Sequence, residues 1–201
     1  MTIIKRGDII SRITKKGLSK IKTKDMMMTA MFVALITAGA YIRIPIPVCP
    51  FTLQFLFTTL SGVLLGAKLG AAACGVYVML GLVGLPVFTS GGGIGYVSEP
   101  TFGYLLGFIA GAYLTGYIVH KGEITLPRLL AGAFSGLMAV YAFGMAYYYA
   151  VSRFWLGTPI GVWPLFLYCF ILAVPGDIAL CIVSAMLGKR LVPLTKMRRA
   201  V

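Results

Sequence analysis

Asp177 is the one acid in the last long apolar stretch, within Val174-Pro175-Gly176-Asp177-Ile178-Ala179. A carboxylate carried to membrane depth costs about 2.5–3.5 kcal/mol on insertion scales. Something must offset that cost, and a site that grips a polar ligand, an ion or a proton would do so. Three further charges, Arg43, Glu99 and Arg153, are expected in the same outer half of the protein. Two readings stay open. One pairs the four charges as structural salt bridges. The other makes a pocket in which Asp177 accepts hydrogen bonds while Arg43 or Arg153 holds a ligand carboxylate through two parallel N–H groups.

Other chemistries find little support. His120 is the only histidine and sits beside Lys121, far along the chain from Asp177. That excludes a Ser-His-Asp arrangement and a zinc site. Gly91, Gly92, Gly93 and Gly95 free the backbone to approach a ligand closely, but no Lys-Ser/Thr pair follows, so a phosphate loop fails. Cys49, Cys74, Cys169 and Cys181 show no metal-ligand spacing and read as small buried hydrophobes. With only five acids in the chain, a proton-relay pump is disfavoured. No nucleotide motif, metal or cofactor is expected, so any ATP must be used by a partner.

The elements that hold these residues follow from composition. The chain has 201 residues, 59% of them hydrophobic, with mean hydropathy +0.94 and only 11% charged. A soluble domain carries roughly 25% charge. Spanning helices need about 20 apolar residues each, so the expected fold is an all-α integral membrane protein of six transmembrane helices. Charges and Pro/Gly breaks place them near 26–42, 52–66, 69–88, 101–119, 129–151 and 162–187. A basic segment over 1–25 and a basic tail over 192–201 flank one membrane domain, 26–191. The first 25 residues hold no apolar core of a cleavable signal.

The net charge of +13 is unevenly spread: eight Lys/Arg precede Asp25 and five follow Leu187. Lys68, Lys121 and Arg128 fall in short connections. With both termini cytoplasmic, sixteen basic residues lie inside and only Arg43 and Arg153 outside. This positive-inside pattern argues for a bilayer, with tails that touch anionic lipid, and against nucleic acid.

Along the chain, Ala30, Ala34 and Ala38 repeat every four residues on the first span. Such spacing allows close helix approach in lipid, either within the protein or to another membrane subunit. The run from Arg43 to Gln54 has three prolines in six residues, which precludes a regular helix and suits a stiff lid over a pocket. Gly103, Gly107 and Gly111 predict a close packing face. Tyr147, Tyr148 and Tyr149 suit a membrane interface or a pocket wall. The break at Pro175-Gly176 predicts a helix starting there with Asp177 in its first turn, where the helix dipole favours an anion.

Four motifs in register then resemble the BioY biotin transporters. They are Pro50-Phe51-Thr52-Leu53-Gln54, the run from Gly81 to Phe88, the run from Pro100 to Phe108, and Pro175-Gly176-Asp177. The resemblance runs from about Met26 to Leu191. It implies a substrate-binding component of an energy-coupling-factor vitamin transporter, with six helices, both termini inside and a ligand pocket near the outer surface. It further implies that Ala30 and Ala34 dock onto a transmembrane coupling subunit that carries two ATPases.

On this resemblance the ligand is biotin. Asp177 would accept from its ureido N–H groups, Gln54, Thr52 and Ser90 would add hydrogen bonds, and Phe51 and Tyr96 would pack on its rings. The family often carries a lysine one turn after the aspartate, where this chain has Leu180. Arg153 or Arg43 would then take over any part that lysine plays. Glu99 stands where glycine is more usual. The competing functions are a self-sufficient ion-coupled carrier and an intramembrane enzyme using Asp177 and Glu99 as an acid–base pair.

Overall fold

The computed structural model describes residues 23–44, 51–157 and 161–197. Cys49 and most of the two basic tails lie outside the described residues. Helix α1 spans Thr23–Tyr41, and α2 and α3 span Gln54–Leu65 and Ala67–Leu82. The longer α4 and α5 span Phe102–His120 and Leu126–Phe154. The sixth helical segment is broken into α6 (Val162–Phe166), a π-helical turn (Leu167–Ile171) and α7 (Val174–Met197). A short 3-10 turn, Ile94–Ser98, precedes α4.

Among the described residues, three helical stretches are long and apolar enough to cross a membrane: Phe102–His120, Leu126–Phe154 and Trp163–Pro193. Helices α2 and α3 are apolar but shorter than the expected spans 52–66 and 69–88. The 12 residues of α2 reach about 18 Å at 1.5 Å per residue, against a hydrocarbon core of about 30 Å. Non-helical backbone extends both helices on the same side. Before α2, strands β1 (Arg43–Ile44) and β2 (Phe51–Thr52) pair antiparallel, Arg43 opposite Thr52. This two-residue ribbon is an addition to the all-helical expectation. After α3 the chain turns at Gly84, whose φ of 112° is open to glycine at no steric cost. At membrane depth such backbone is tolerated where protein covers it or a cavity needs it.

Helix α2 is the centre of the bundle. Eleven of its residues are buried, all but Phe57, and the Thr58 and Ser61 hydroxyls are satisfied by carbonyls of the same helix. Glycines let its neighbours touch it backbone to backbone. A Cβ on Gly62 would lie 2.5 Å from the Ala112 carbonyl oxygen of α4, and one on Gly70 of α3 would lie 2.8 Å from the Gly62 Cα. The expected glycine face of α4 packs on α5: a Cβ on Gly107 would lie 2.8 Å from the Val140 Cα, and one on Gly103 only 2.2 Å from the Tyr147 Cβ. Ala30, Ala34 and Ala38 of α1 do the opposite and face outward, exposed.

The buried side chains divide into two apolar clusters. One is aliphatic, built on Leu60, Val63, Val119 and Leu129 near the tight α2–α3 turn. The other is rich in aromatics and phenols, among them Phe55, Tyr77, Phe88, Tyr96, Tyr104 and Tyr141. Leu180 packs against both.

Candidate functional site

A cavity enclosing about 640 Å³, part of it open to solvent, opens among the aromatic cluster. Small-molecule sites are mostly apolar with a few placed polar groups, and this one has that character. The β-ribbon and the start of α2 contribute Phe51, Thr52, Gln54 and Phe55. The loop between α3 and α4 contributes Thr89, Tyr96 and Thr101, and α4 itself Tyr104, Leu105 and Phe108. The remaining wall is Val140 and Tyr141 of α5 with Cys169, Ala173 and Asp177.

The π-helical turn positions that last trio. Leu172 N–H reaches back five residues to the Leu167 carbonyl (3.1 Å), and Cys169, Ala173 and Asp177 then follow at intervals of four on the cavity side. Wide turns of this kind recur at functional sites. Asp177 lies in the first turn of α7, as the Pro-Gly break predicts. Its own amide, however, is spent on the Ala173 carbonyl (3.1 Å). Asp177 is 9% exposed as a residue, and its carboxylate accepts a hydrogen bond at Oδ2 from the hydroxyl of Tyr141, a residue 3% exposed. Phe51 lies against the Pro-Gly step: a Cβ on Gly176 would sit 2.6 Å from its ring.

The opposite wall holds a short relay. Gln54 Nε2 donates to the Tyr77 hydroxyl (2.6 Å), which donates to the Val87 carbonyl (3.0 Å). Thr52 Oγ1 lies 3.4 Å from Gln54 Oε1, at the long end for such a bond. Tyr41 of α1 donates to the Pro86 carbonyl and Arg43 Nη1 to the Thr89 carbonyl (2.9 Å). Three donors outside the α3–α4 loop therefore fasten its main chain over 86–89. Within it, Phe88 fills the hollow at Gly81, where a Cβ would lie 2.0 Å from its ring. Phe88 packs on Tyr96 (centroids 4.5 Å apart), whose hydroxyl is 3.0 Å from Thr89 Oγ1.

Of the residues proposed from sequence, Phe51, Thr52, Gln54, Tyr96 and Asp177 converge on this cavity. Ser90 is exposed beside Thr89 and does not line it. Arg43 stands at the rim, one hydrogen bond from the lining residue Thr89. Arg153 is directed elsewhere: its guanidinium donates to the Tyr149 hydroxyl (3.0 Å) and lies over that ring. The salt-bridge reading fails, because neither arginine meets Asp177 or Glu99, and Glu99 is exposed. The pocket-wall reading of the Tyr147–149 run fails as well. Tyr147 instead ties to the Val97 carbonyl (2.6 Å), and none of the three lines the cavity.

Sequence reasoning missed Tyr77, Thr89, Tyr104, Phe108 and Tyr141. A signal existed for Tyr141: a phenol in the middle of a span, away from any interface, needs a hydrogen-bond partner, and Asp177 needs a donor.

A helical membrane bundle whose aromatic cavity holds a single buried carboxylate is a membrane-embedded binding protein for a small polar-headed ligand. Residues 13–197 match the BioY family. The chain belongs to that family, as its four motifs imply. It is 42% identical over 180 residues to a probable biotin transporter BioY of Lysinibacillus sphaericus, covering 89% of this chain and 92% of that one. It is 33% identical over 177 residues to the biotin transporter BioY of Rhizobium etli, covering 83% and 92%. Its fold matches a crystal structure of the S-component for biotin from an ECF-type ABC transporter, with a TM-score of 0.71 and 26% identity over 86% of this chain and 93% of that one.

Proposed function

We propose that this chain is the biotin-binding component of an energy-coupling-factor uptake transporter, a multi-pass protein of the cell membrane with both termini cytoplasmic. The observation that carries this reading is the buried Asp177 in the cavity wall, bonded to a phenol and, among the described residues, to no cation. Biotin's ureido ring offers two N–H donors, and a carboxylate is the acceptor that matches them. The fused thioether ring suits the Phe51 and Tyr96 walls. Gln54 and Thr52 take further hydrogen bonds on the ribbon side. The valerate carboxylate then points to the rim, where Arg43 is the better placed of the two arginines, with Ser90 beside it.

The positive-inside charge pattern puts the cavity mouth on the outer face. Ala30 and Ala34, exposed on α1, dock onto a transmembrane coupling subunit that carries two ATPases. Loaded chain rotates against that subunit, and ATP hydrolysis in the partners drives release inside. This chain binds and delivers; it breaks no bond, so it is not an enzyme and uses no cofactor.

The test is equilibrium binding of biotin and of biotin methyl ester to the detergent-purified chain. Biotin should bind tightly and the ester more weakly. Asp177→Asn should lower biotin affinity about tenfold to a hundredfold, the worth of a hydrogen bond to a charged group. Arg43→Gln should erase the preference over the ester, whereas Arg153→Gln should leave it. A folded chain that binds no biotin sinks the reading.

A further inference from the structure

The cavity's carboxylate cannot hold itself. Its backbone amide is committed to Ala173, and Leu180, one turn on, is packed among apolar side chains. An aspartate has two side-chain torsions to fix, and among the described residues no cation meets this one. The group that meets it is Tyr141, from a different helix. Tyr141 is itself buried and packed on two sides. Its ring stands edge-on to Tyr104 (6.3 Å, 86°) and to Phe170 (5.1 Å, 70°), and Phe170 stacks on Phe166 (4.9 Å). Aromatic pairs in such geometries are worth about 0.5–1.5 kcal/mol each beyond area burial, so the hydroxyl is delivered at a fixed place. Its one proton goes to Oδ2, and among the described residues no side chain bonds Oδ1.

We infer that Tyr141 is a positioning residue for ligand recognition: it pins one oxygen of Asp177 so that the other is presented to the ligand's N–H donors. This inference rests on the biotin reading. It assigns to α5 a part in selectivity, since α5 decides how the carboxylate on α7 faces the cavity. A pinned acceptor meets two N–H groups at one fixed geometry with little further ordering, which is the source of affinity in a preorganised site. The hydroxyl also partly offsets the cost of a charge at this depth, a task a cation would otherwise perform.

The experiment uses Tyr141→Phe in the full chain, which keeps the ring and both edge contacts and removes only the hydroxyl. Binding is measured for biotin and for biotin methylated on one ureido nitrogen, with the thermal midpoint of the purified protein followed alongside. The expected result is an affinity for biotin about tenfold lower or more, a smaller loss for the methylated analogue, and so a reduced preference between them. In an Asp177→Asn background the same substitution should change biotin affinity less than about twofold, because its effect passes through that side chain. Equal losses for both ligands would mark Tyr141 as packing alone and overturn the inference, as would unchanged affinity. If the unmodified chain fails to bind biotin, the functional reading falls and this role with it. If the unmodified chain binds and Tyr141→Phe binds equally well, only this role falls.

Discussion

Helices α1 and α4 carry the same pattern, small residues every four positions, and the structure uses it in opposite ways. Gly103, Gly107 and Gly111 are sealed against α5, close enough that a single added carbon would strike backbone. Ala30, Ala34 and Ala38 face outward beside exposed Met27 and Met31. In lipid there is no hydrophobic drive between helices, so close packing of small residues is what makes two helices associate. A stripe that is buried has met its partner inside the chain. A stripe left open is a helix face still able to take one. The difference lies in what else each helix offers: α4 puts glycines where α5 answers with Gly136 and Val140, whereas α1 turns its bulky Phe32, Val33 and Ile36 inward and leaves its alanines out.

This contrast can be broken at several points. The largest effect is expected from Gly107→Leu, which drives a side chain into the α5 backbone. It should abolish folded, monodisperse protein in size-exclusion chromatography. Replacing Ala30 and Ala34 together with leucine should leave the thermal midpoint and biotin affinity within error while cutting uptake in cells by about tenfold or more. Lost binding in that variant would show that the stripe packs within the chain after all. The smallest effect is expected from Ala38→Leu, on the same face but near the ribbon end of α1. Its exposed position predicts a stability change within about 0.5 kcal/mol, read by chemical or thermal unfolding in detergent.

Sequence alone cannot tell the two stripes apart, because spacing records which residues share a face and not what that face meets. Other features were legible. The glycine face of α4 and the restart of helix at Pro175-Gly176 follow from local rules, whereas the place of Phe51 in the site comes from the family resemblance. The ends of α2 and α3 were not legible from hydropathy. The apolar run continues through Leu85, Val87 and Phe88, and in α3 the helix stops at Leu82 while the loop folds back over Gly81. Hydropathy counts burial, and a loop buried in its own protein looks like helix. The Tyr141–Asp177 bond was hidden for a different reason: it joins residues on separate helices, and only the packing angle of α5 on the last segment brings them together.

The loop over the cavity is fastened by Tyr41, Arg43 and Tyr77, and all three grip main-chain carbonyls, those of Pro86, Thr89 and Val87. Carbonyl oxygens are present whatever residue stands there. Apart from Phe88, which fills the hollow at Gly81, side chains in this stretch can therefore drift without loosening the clasp, while the clasp itself is written into α1, the ribbon and α3. A related chain could change the side chain at Thr89, the one residue of 86–89 that lines the cavity, and keep the same fastening, so ligand preference can evolve there without rebuilding the loop.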